Sequence, residues 1–347
     1  MIRSIIKSCL AFGMAFFIAN AACFFYFNPM HNTELNDYRL EPETFGIYAV
    51  EGFGMLYSDK NGFPNREAEL AEKDYILVMG SSHSAGDQVL RGYRYSDLLD
   101  NKYNQDGKIH VYNVAHGGKR FQHIIKNFKD ITTEFPDSKA VIIEVSEGTI
   151  MMSDEEFQDA MSQVEYENSV HGSELKNHTC GGRIIMGIKK YCPLALLIYD
   201  QLTRKSFTNI HGAFMHASAE RMNAEYDGQE MISKSEDIYK QYFQSLNLLR
   251  SEYSGKIVVM YHEPFTINEL HNEKCDNSLR AEYLKEACKM NNIIFINMKQ
   301  DFMDAYLHDY SISHGFYNTE MINGHLNKTG HRIIAEKLYI ELQKSGN

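Results

Sequence analysis

The sequence predicts a doubly wound α/β domain built on a parallel sheet of about five strands. Three observations carry that expectation. Short apolar runs rich in β-branched residues recur at Tyr75-Ile76-Leu77-Val78-Met79, Ile109-His110-Val111-Tyr112, Ala140-Val141-Ile142-Ile143, Ile257-Val258-Val259-Met260-Tyr261 and Ile293-Ile294-Phe295-Ile296. Each is almost continuously apolar rather than alternating, as strands covered on both faces are. Amphipathic stretches at 120–134, 235–252, 278–291 and 332–342 lie between or after these runs, and strands alternating with helices call for parallel pairing. Finally, 347 residues with 44% hydrophobic and 23% charged content suffice for one large folded domain. No period of 20–50 residues repeats, which excludes a solenoid.

In chain order, the first feature is an apolar segment. Arg3 and Lys7 precede an uninterrupted apolar run from Ser8 to Phe27 in which Asn20 is the strongly polar member. About 20 helical residues reach roughly 30 Å, the thickness of a bilayer's hydrocarbon core. Positive charge ahead of the run favours a cytoplasmic N-terminus with the bulk of the chain extracytoplasmic. Residues 1–28 therefore read as a single-pass membrane anchor. The A-x-A triplet Ala19-Asn20-Ala21 makes a cleaved signal peptide, and so a secreted chain, the rival reading. Phe24-Phe25-Tyr26-Phe27 extends past that site with aromatics suited to a membrane interface.

Residues 29–73, polar and rich in Asn, Glu, Asp and Gly, read as a linker and approach segment. Residues 74–347 carry the α/β pattern, interrupted at about 150–234 by a long, partly helical stretch (183–205 especially) that reads as a cap or side lobe. Two local cysteine pairs, Cys180 with Cys192 and Cys275 with Cys288, permit disulfides in an oxidising compartment, and free thiols are the alternative. The formal charge of −11, from 46 acidic and 35 basic residues, leaves no broad positive field and argues against nucleic acid as a partner.

In parallel sheets, ligands sit beyond the carboxyl ends of the strands. The first strand there runs into Gly80-Ser81-Ser82-His83-Ser84-Ala85-Gly86. Gly80 permits a sharp turn, and Ser82 would stand at a helix entrance with its N–H available to an oxyanion. A helix cap or a phosphate-binding loop is the bland reading, but neither GxxxxGK[ST] nor GxGxxG occurs. Near the C-terminus, Asn323-Gly324-His325-Leu326-Asn327-Lys328-Thr329-Gly330-His331 precedes the last amphipathic stretch. A serine hydroxyl needs a base within hydrogen-bond reach, and the imidazole of His325 suits that role. His331 falls at the helix start, where packing or capping is the expected role.

Together these pieces resemble the SGNH hydrolase superfamily. Its first block matches Gly80–Gly86, with Ser81 where an aspartate is common. Its second block, an Asn four residues before a glycine pair, matches Asn113-Val114-Ala115-His116-Gly117-Gly118. Its last block matches His325 with Gly330-His331. The Gly315-Phe316, Asn318-Thr319 and Gly324–Asn327 sequence is also similar to bacterial cell-surface members.

The resemblance implies a flavodoxin-like three-layer α/β/α fold, Ser82 as nucleophile, His325 as base, and Ser82 and Gly118 N–H groups as oxyanion hole. It implies hydrolysis or transfer of an ester-linked acyl group, acetyl foremost, on an extracytoplasmic glycan. The partners it implies are an acylated glycan or small ester, the membrane through the N-terminal helix, and glycan-assembly membrane proteins. It calls for no cofactor and no metal. Two departures stand out. The third block lacks its asparagine, and Glu144-Val145-Ser146-Glu147-Gly148-Thr149 offers Ser146 or Thr149 in its place. The acid that orients the histidine is also missing, leaving Asn323, a backbone carbonyl or Glu320 to hold His325. These losses make a catalytically inactive glycan-binding or scaffold protein the alternative reading. His83, His116 and His262 are further candidates to line the substrate site, with structural packing equally open to them.

Overall fold

The computed structural model describes residues 2–24, 39–40, 42–65, 74–104, 109–162, 192–195, 197–198, 228–272, 275 and 277–344. The elements run α1 (Ile2–Cys23), β1 (Phe45–Tyr48), β2 (Gly54–Tyr57), β3 (Asp74–Met79), α2 (Ser82–Ala85), α3 (Tyr95–Tyr103), β4 (Ile109–Asn113), α4 (Phe121–Glu134), β5 (Ser138–Ser146), α5 (Glu147–Ile150) and α6 (Asp154–Met161). They continue with α7 (Gly228–Glu252), β6 (Lys256–His262), α8 (Ile267–Asn272), α9 (Leu279–Met290), β7 (Ile294–Asn297), α10 (Lys299–Asp309), β8 (His314–Gly315), β9 (Met321–Leu326) and α11 (Lys328–Lys344).

All five predicted strands form one parallel sheet in the order β4-β3-β5-β6-β7. Counted within the sheet this is 2-1-3-4-5, the flavodoxin-like order, whose switch point lies between the first and third strands. Here those are β3 and β5, so the crevice opens beyond Met79 and Ser146.

The continuous apolar runs have a direct structural reason. Leu77, Met79, Val141, Ile143, Val259 and Tyr261 pack one face, against Phe121, Phe128, Leu246 and Leu284 of α4, α7 and α9. Ile76, Val78, Ile142, Val258 and Met260 pack the other, against Leu99, Phe302, Ile334 and Leu338 of α3, α10 and α11. Burial on both faces keeps the middle of each strand apolar, and the buried polar side chains Asn113, Glu144 and His262 lie toward the carboxyl ends.

Residues 39–65 are not the linker that their polarity suggests. β1 and β2 form an antiparallel hairpin, and Phe63, 1% exposed, enters the core beside Tyr112 and Phe135. Asp59 accepts from the Tyr112 hydroxyl and from the N–H groups of Asn61 and Phe63. Asn65 pairs through its side-chain amide with both backbone groups of Asn113, occupying the free edge of β4 as another strand would. Polar residues here supply hydrogen bonds that fasten the segment to the domain.

Helix α1 is long and apolar enough to be a membrane span or a signal sequence, and its apolar stretch is not buried against the domain. The predicted insertion falls mostly on 163–191 and 199–227, outside the described residues, as does Cys180. Cys275 and Cys288 are not joined. Cys288 is buried on the α9 side of the sheet, whereas Cys275 lies against Met303 on the opposite side.

His331 has the structural role expected of it. Fully buried, it accepts the Tyr95 N–H at the start of α3 (3.1 Å) and stacks on the Tyr95 ring. Burial, with Arg94 nearby, pulls its pKa down to about 3. The unfolded chain, with an ordinary histidine near 6.5, therefore binds the proton first as pH falls. The contribution is intact above about pH 6.5 and is lost at up to about 1.4 kcal/mol per pH unit toward pH 3. Urea unfolding at stepped pH should show this slope, and His331→Gln, which lacks the titrating ring, should flatten it.

Candidate active site

The site begins where β3 ends. A side chain at Gly80 would collide with Ser84 Oγ (2.4 Å) and Glu144 Oε2 (2.5 Å), so only glycine lets the strand exit so close to β5. Ser81 is extended and caps α2, its Oγ accepting from the His83 N–H. The helix is one turn long and closes at Gly86, whose φ is 70°. Ser82 thereby stands at the first helical position, partly exposed.

The loop is braced from below by a buried carboxylate. Glu144, 0% exposed, accepts from Ser81 N–H (2.8 Å), Ser81 Oγ (2.9 Å), Ser84 Oγ (2.9 Å) and His262 Nε2 (3.0 Å). Burial pushes this carboxyl up, but the His262 contact and the Ser81 and Ser84 donors together hold it below its ordinary value. It is a desolvated anion kept by its donors.

His325 arrives from the other end of the chain on β9. Ser82 Oγ donates to His325 Nε2 at 2.8 Å. On the far side of the ring, His325 Nδ1–H donates to Glu51 Oε2 at 2.6 Å, and the His325 backbone N–H donates to Glu51 Oε1 at 2.9 Å. One carboxylate thus fixes both the ring and the backbone of His325, and sets the tautomer that presents the Nε2 lone pair to Ser82.

Glu51 lies in the turn between β1 and β2, and the turn is clamped. Asn318 Oδ1 accepts the Gly52 N–H, while Asn318 Nδ2 donates to the carbonyls of Ala49 and Gly52. The Phe53 N–H reaches Gln88 O. Gly324 (φ 92°) completes the fit: a methyl group there would meet Glu51 Oε1 at 2.5 Å. The base hairpin also holds Ile322 at φ 79°, a strained conformation for a β-branched residue.

Ser82 and His325 are therefore brought together as expected, but Asn323 does not orient the imidazole. Its exposed side chain donates to Glu320 Oε1, which occupies the other sequence candidate as well. The orienting acid is Glu51, which no local motif marks. Its only sequence signal is a carboxylate beside glycine between two apolar runs.

Gly118 has a φ of 79° and open space around it. Among the described residues, no acceptor takes its N–H or that of Ser82. Ser146 and Thr149 do not replace the third-block asparagine: the Ser146 N–H donates to Thr149 Oγ1 and the hydroxyls bond each other, capping α5. His116 is buried, its Nδ1 on Gly117 O. His262 is 1% exposed and cannot line a substrate surface. His83, partly exposed, accepts the Leu326 N–H and lies against the His325 ring (centroids 5.0 Å).

One further acid borders the site. Asp87 Oδ2 lies 3.7 Å from where a side chain on Gly117 would begin, and Ser82 Cβ lies 3.9 Å from the same point. Burial pushes Asp87 up to about 6, against the pull of His325 and Arg94.

Fold and geometry together define a class: an α/β domain with a Ser–His–Glu arrangement at the carboxyl edge of its sheet. No family model matches the chain, and no curated protein matches it. Among solved structures the fold is similar to an acetyl xylan esterase, AlAXEase (13% identity, 77% of this chain and 98% of that one, TM-score 0.41). It is similar also to a member of the lipolytic protein G-D-S-L family from Veillonella parvula (13%, 76% and 95%, 0.37). A third is a lipase/acylhydrolase from Enterococcus faecalis (10%, 78% and 96%, 0.39). At such identities and TM-scores these likenesses lend the site no weight, and its reading rests on the chain's own geometry.

The two candidate orienting groups are separable by experiment. With a fluorophosphonate probe that labels activated serines, Glu51→Gln should slow labelling by about 10⁴-fold, the scale seen when a triad acid becomes its amide. Asn323→Ala should stay within about twofold of wild type. Gly324→Ala should behave like Glu51→Gln, since it displaces the carboxylate without removing it.

Proposed function

We propose that the chain is an SGNH-type serine esterase or O-acyltransferase acting on an ester-linked acyl group, acetyl foremost, of an extracytoplasmic glycan. The observation that carries this reading is the continuous hydrogen-bonded line from Ser82 Oγ through His325 to Glu51. The alternative of an inactive scaffold draws its support from the missing acid and the missing third-block asparagine, and Glu51 answers the first of these.

In this mechanism His325 Nε2 takes the Ser82 proton as Oγ attacks the acyl carbonyl. Glu51 stabilises the imidazolium that forms and keeps Nδ1 protonated throughout. The N–H groups of Ser82 and Gly118 receive the developing oxyanion, and one such donor contributes about 10²- to 10³-fold in rate. The imidazolium returns its proton to the leaving alcohol, giving an acyl-serine. Water or a sugar hydroxyl, deprotonated by the same histidine, then takes the acyl group. Hydrolysis and transfer differ only in that final nucleophile.

The extracytoplasmic placement is supported by α1, with Arg3 and Lys7 at its start. Membrane attachment through α1 would bring the site near membrane proteins that assemble glycans.

The full-length chain in detergent should release acetate from acetylated polysaccharide, and Ser82→Ala and His325→Ala should each lower the rate by at least about 10³-fold. Adding a hydroxyl-rich oligosaccharide should divert acyl groups to it if transfer is the native reaction. No acyl release or transfer by wild type, with Ser82 unlabelled by fluorophosphonate, would refute the enzymatic reading.

A further inference from the structure

Beneath the Ser82 loop lies a second group of side chains that the acyl chemistry above does not use. His83, His262 and His314 each place a ring nitrogen within 4.8 Å of the other two. His262 ends β6, His314 begins β8 and His83 sits in α2, so three separate strand-end segments converge there. We propose that these three histidines form a binding site for a first-row divalent metal ion such as Zn²⁺, oriented by Glu144 and Ser313.

Distance is the first argument. His262 Nδ1 and His314 Nε2 are 3.3 Å apart. Two imidazole nitrogens each about 2.0–2.1 Å from zinc, at a tetrahedral angle, stand about 3.3–3.4 Å apart. The pair is already at ligand spacing.

Outer contacts are the second. Metal-bound histidines donate their other N–H to a carboxylate or another oxygen, which fixes the ring and raises its basicity. His262 Nε2 donates to Glu144 Oε1 at 3.0 Å, and His314 Nδ1 lies 2.9 Å from Ser313 Oγ. Without metal, a chain of hydrogen bonds satisfies the group: Ser313 hydroxyl to His314 Nδ1, His314 Nε2–H to His262 Nδ1, His262 Nε2–H to Glu144. Within the His262–His314 pair, metal entry requires that the His314 proton move from Nε2 to Nδ1 and that the Ser313 hydroxyl turn to accept it. Both rings stay neutral and no proton need leave.

The third argument is charge. Glu144 is completely buried, and among the described residues no Lys or Arg lies within ion-pair distance of it. A divalent ion one imidazole away would offset that buried negative charge.

His83 is the ligand that must move. Its ring lies 4.5 Å from that of His262, and its Nδ1 now takes the Leu326 N–H in a long bond of 3.3 Å. Drawing His83 inward would shift the residue next to Ser82, so occupancy would bear on the nucleophile's position. An all-imidazole set favours zinc, cobalt, nickel or copper over magnesium or calcium.

The test is a titration of chelator-stripped full-length protein in detergent with ZnCl₂, read by competition with a chromophoric chelator. One tight equivalent per chain is expected, and Co²⁺ in its place should give the strong visible absorption of a tetrahedral nitrogen site. His262→Gln and His314→Gln should each weaken binding by at least about 100-fold, and Glu144→Gln by about 10- to 100-fold, with His308→Ala, an exposed control, unchanged. The proposal is overturned by the absence of a stoichiometric site, or by unchanged affinity in a folded His262→Gln/His314→Gln double variant. If those variants do not fold, the wild-type Co²⁺ spectrum decides: weak octahedral absorption overturns the site.

Discussion

The carboxylate of Glu51 meets His325 twice, once at the ring Nδ1–H and once at the backbone N–H. That double contact sets the position and tautomer of the imidazole, and much of the surrounding architecture serves to make it possible. Glu51 would be a solvated turn residue if the β1–β2 hairpin were free. It is held because Asn318 bonds three backbone groups of the turn, because Gly324 leaves room for the carboxylate, and because Phe63 and Asp59 anchor the following segment in the core. The β1–β2 hairpin, the central sheet and the C-terminal hairpin are thereby joined at one imidazole, hydrogen-bonded on both sides.

A second buried carboxylate does for the Ser82 turn what Glu51 does for His325. Glu144 gathers donors from Ser81, Ser84 and His262, and so ties the α2 turn to β5 and β6. It also accounts for the serine at position 81. Ser81, where an aspartate is common, is a donor, and a buried glutamate beneath it supplies the negative charge. An aspartate at position 81 would set two anions against each other in a desolvated space. Ser146 and Thr149, in the region of the missing asparagine, instead cap a short helix.

The histidine-rich floor of the site follows from the same anion. His262 lies between Glu144 and His314, and His83 between His262 and His325. Burial first, and neighbouring rings second, depress the pKa of His83 and His314 well below the ordinary value. Neutral imidazoles can pack edge to face without mutual repulsion, and they leave lone pairs available to a cation.

Much of this protein was legible in its residues. The five strands, the parallel order and the pairing of Ser82 with His325 follow from local signals: apolar runs bounded by turns, a Gly-Ser turn after a strand, a histidine before the last helix. Such signals depend on a few neighbouring residues, so they survive without knowledge of the fold. The role of residues 39–65 did not show, because a polar segment bonded to the domain and a polar segment in water have the same composition. Nearness in sequence offers Asn323, Glu320 or a backbone carbonyl as the orienting group, whereas the partner is Glu51, beyond any local spacing. By itself the sequence determined the fold class and singled out Ser82 and His325 as a pair that the fold brings into contact. Only the tertiary structure decided which acid completes the line and which histidines are buried, because those are facts of convergence between distant segments, and distance along the chain carries no record of distance in space.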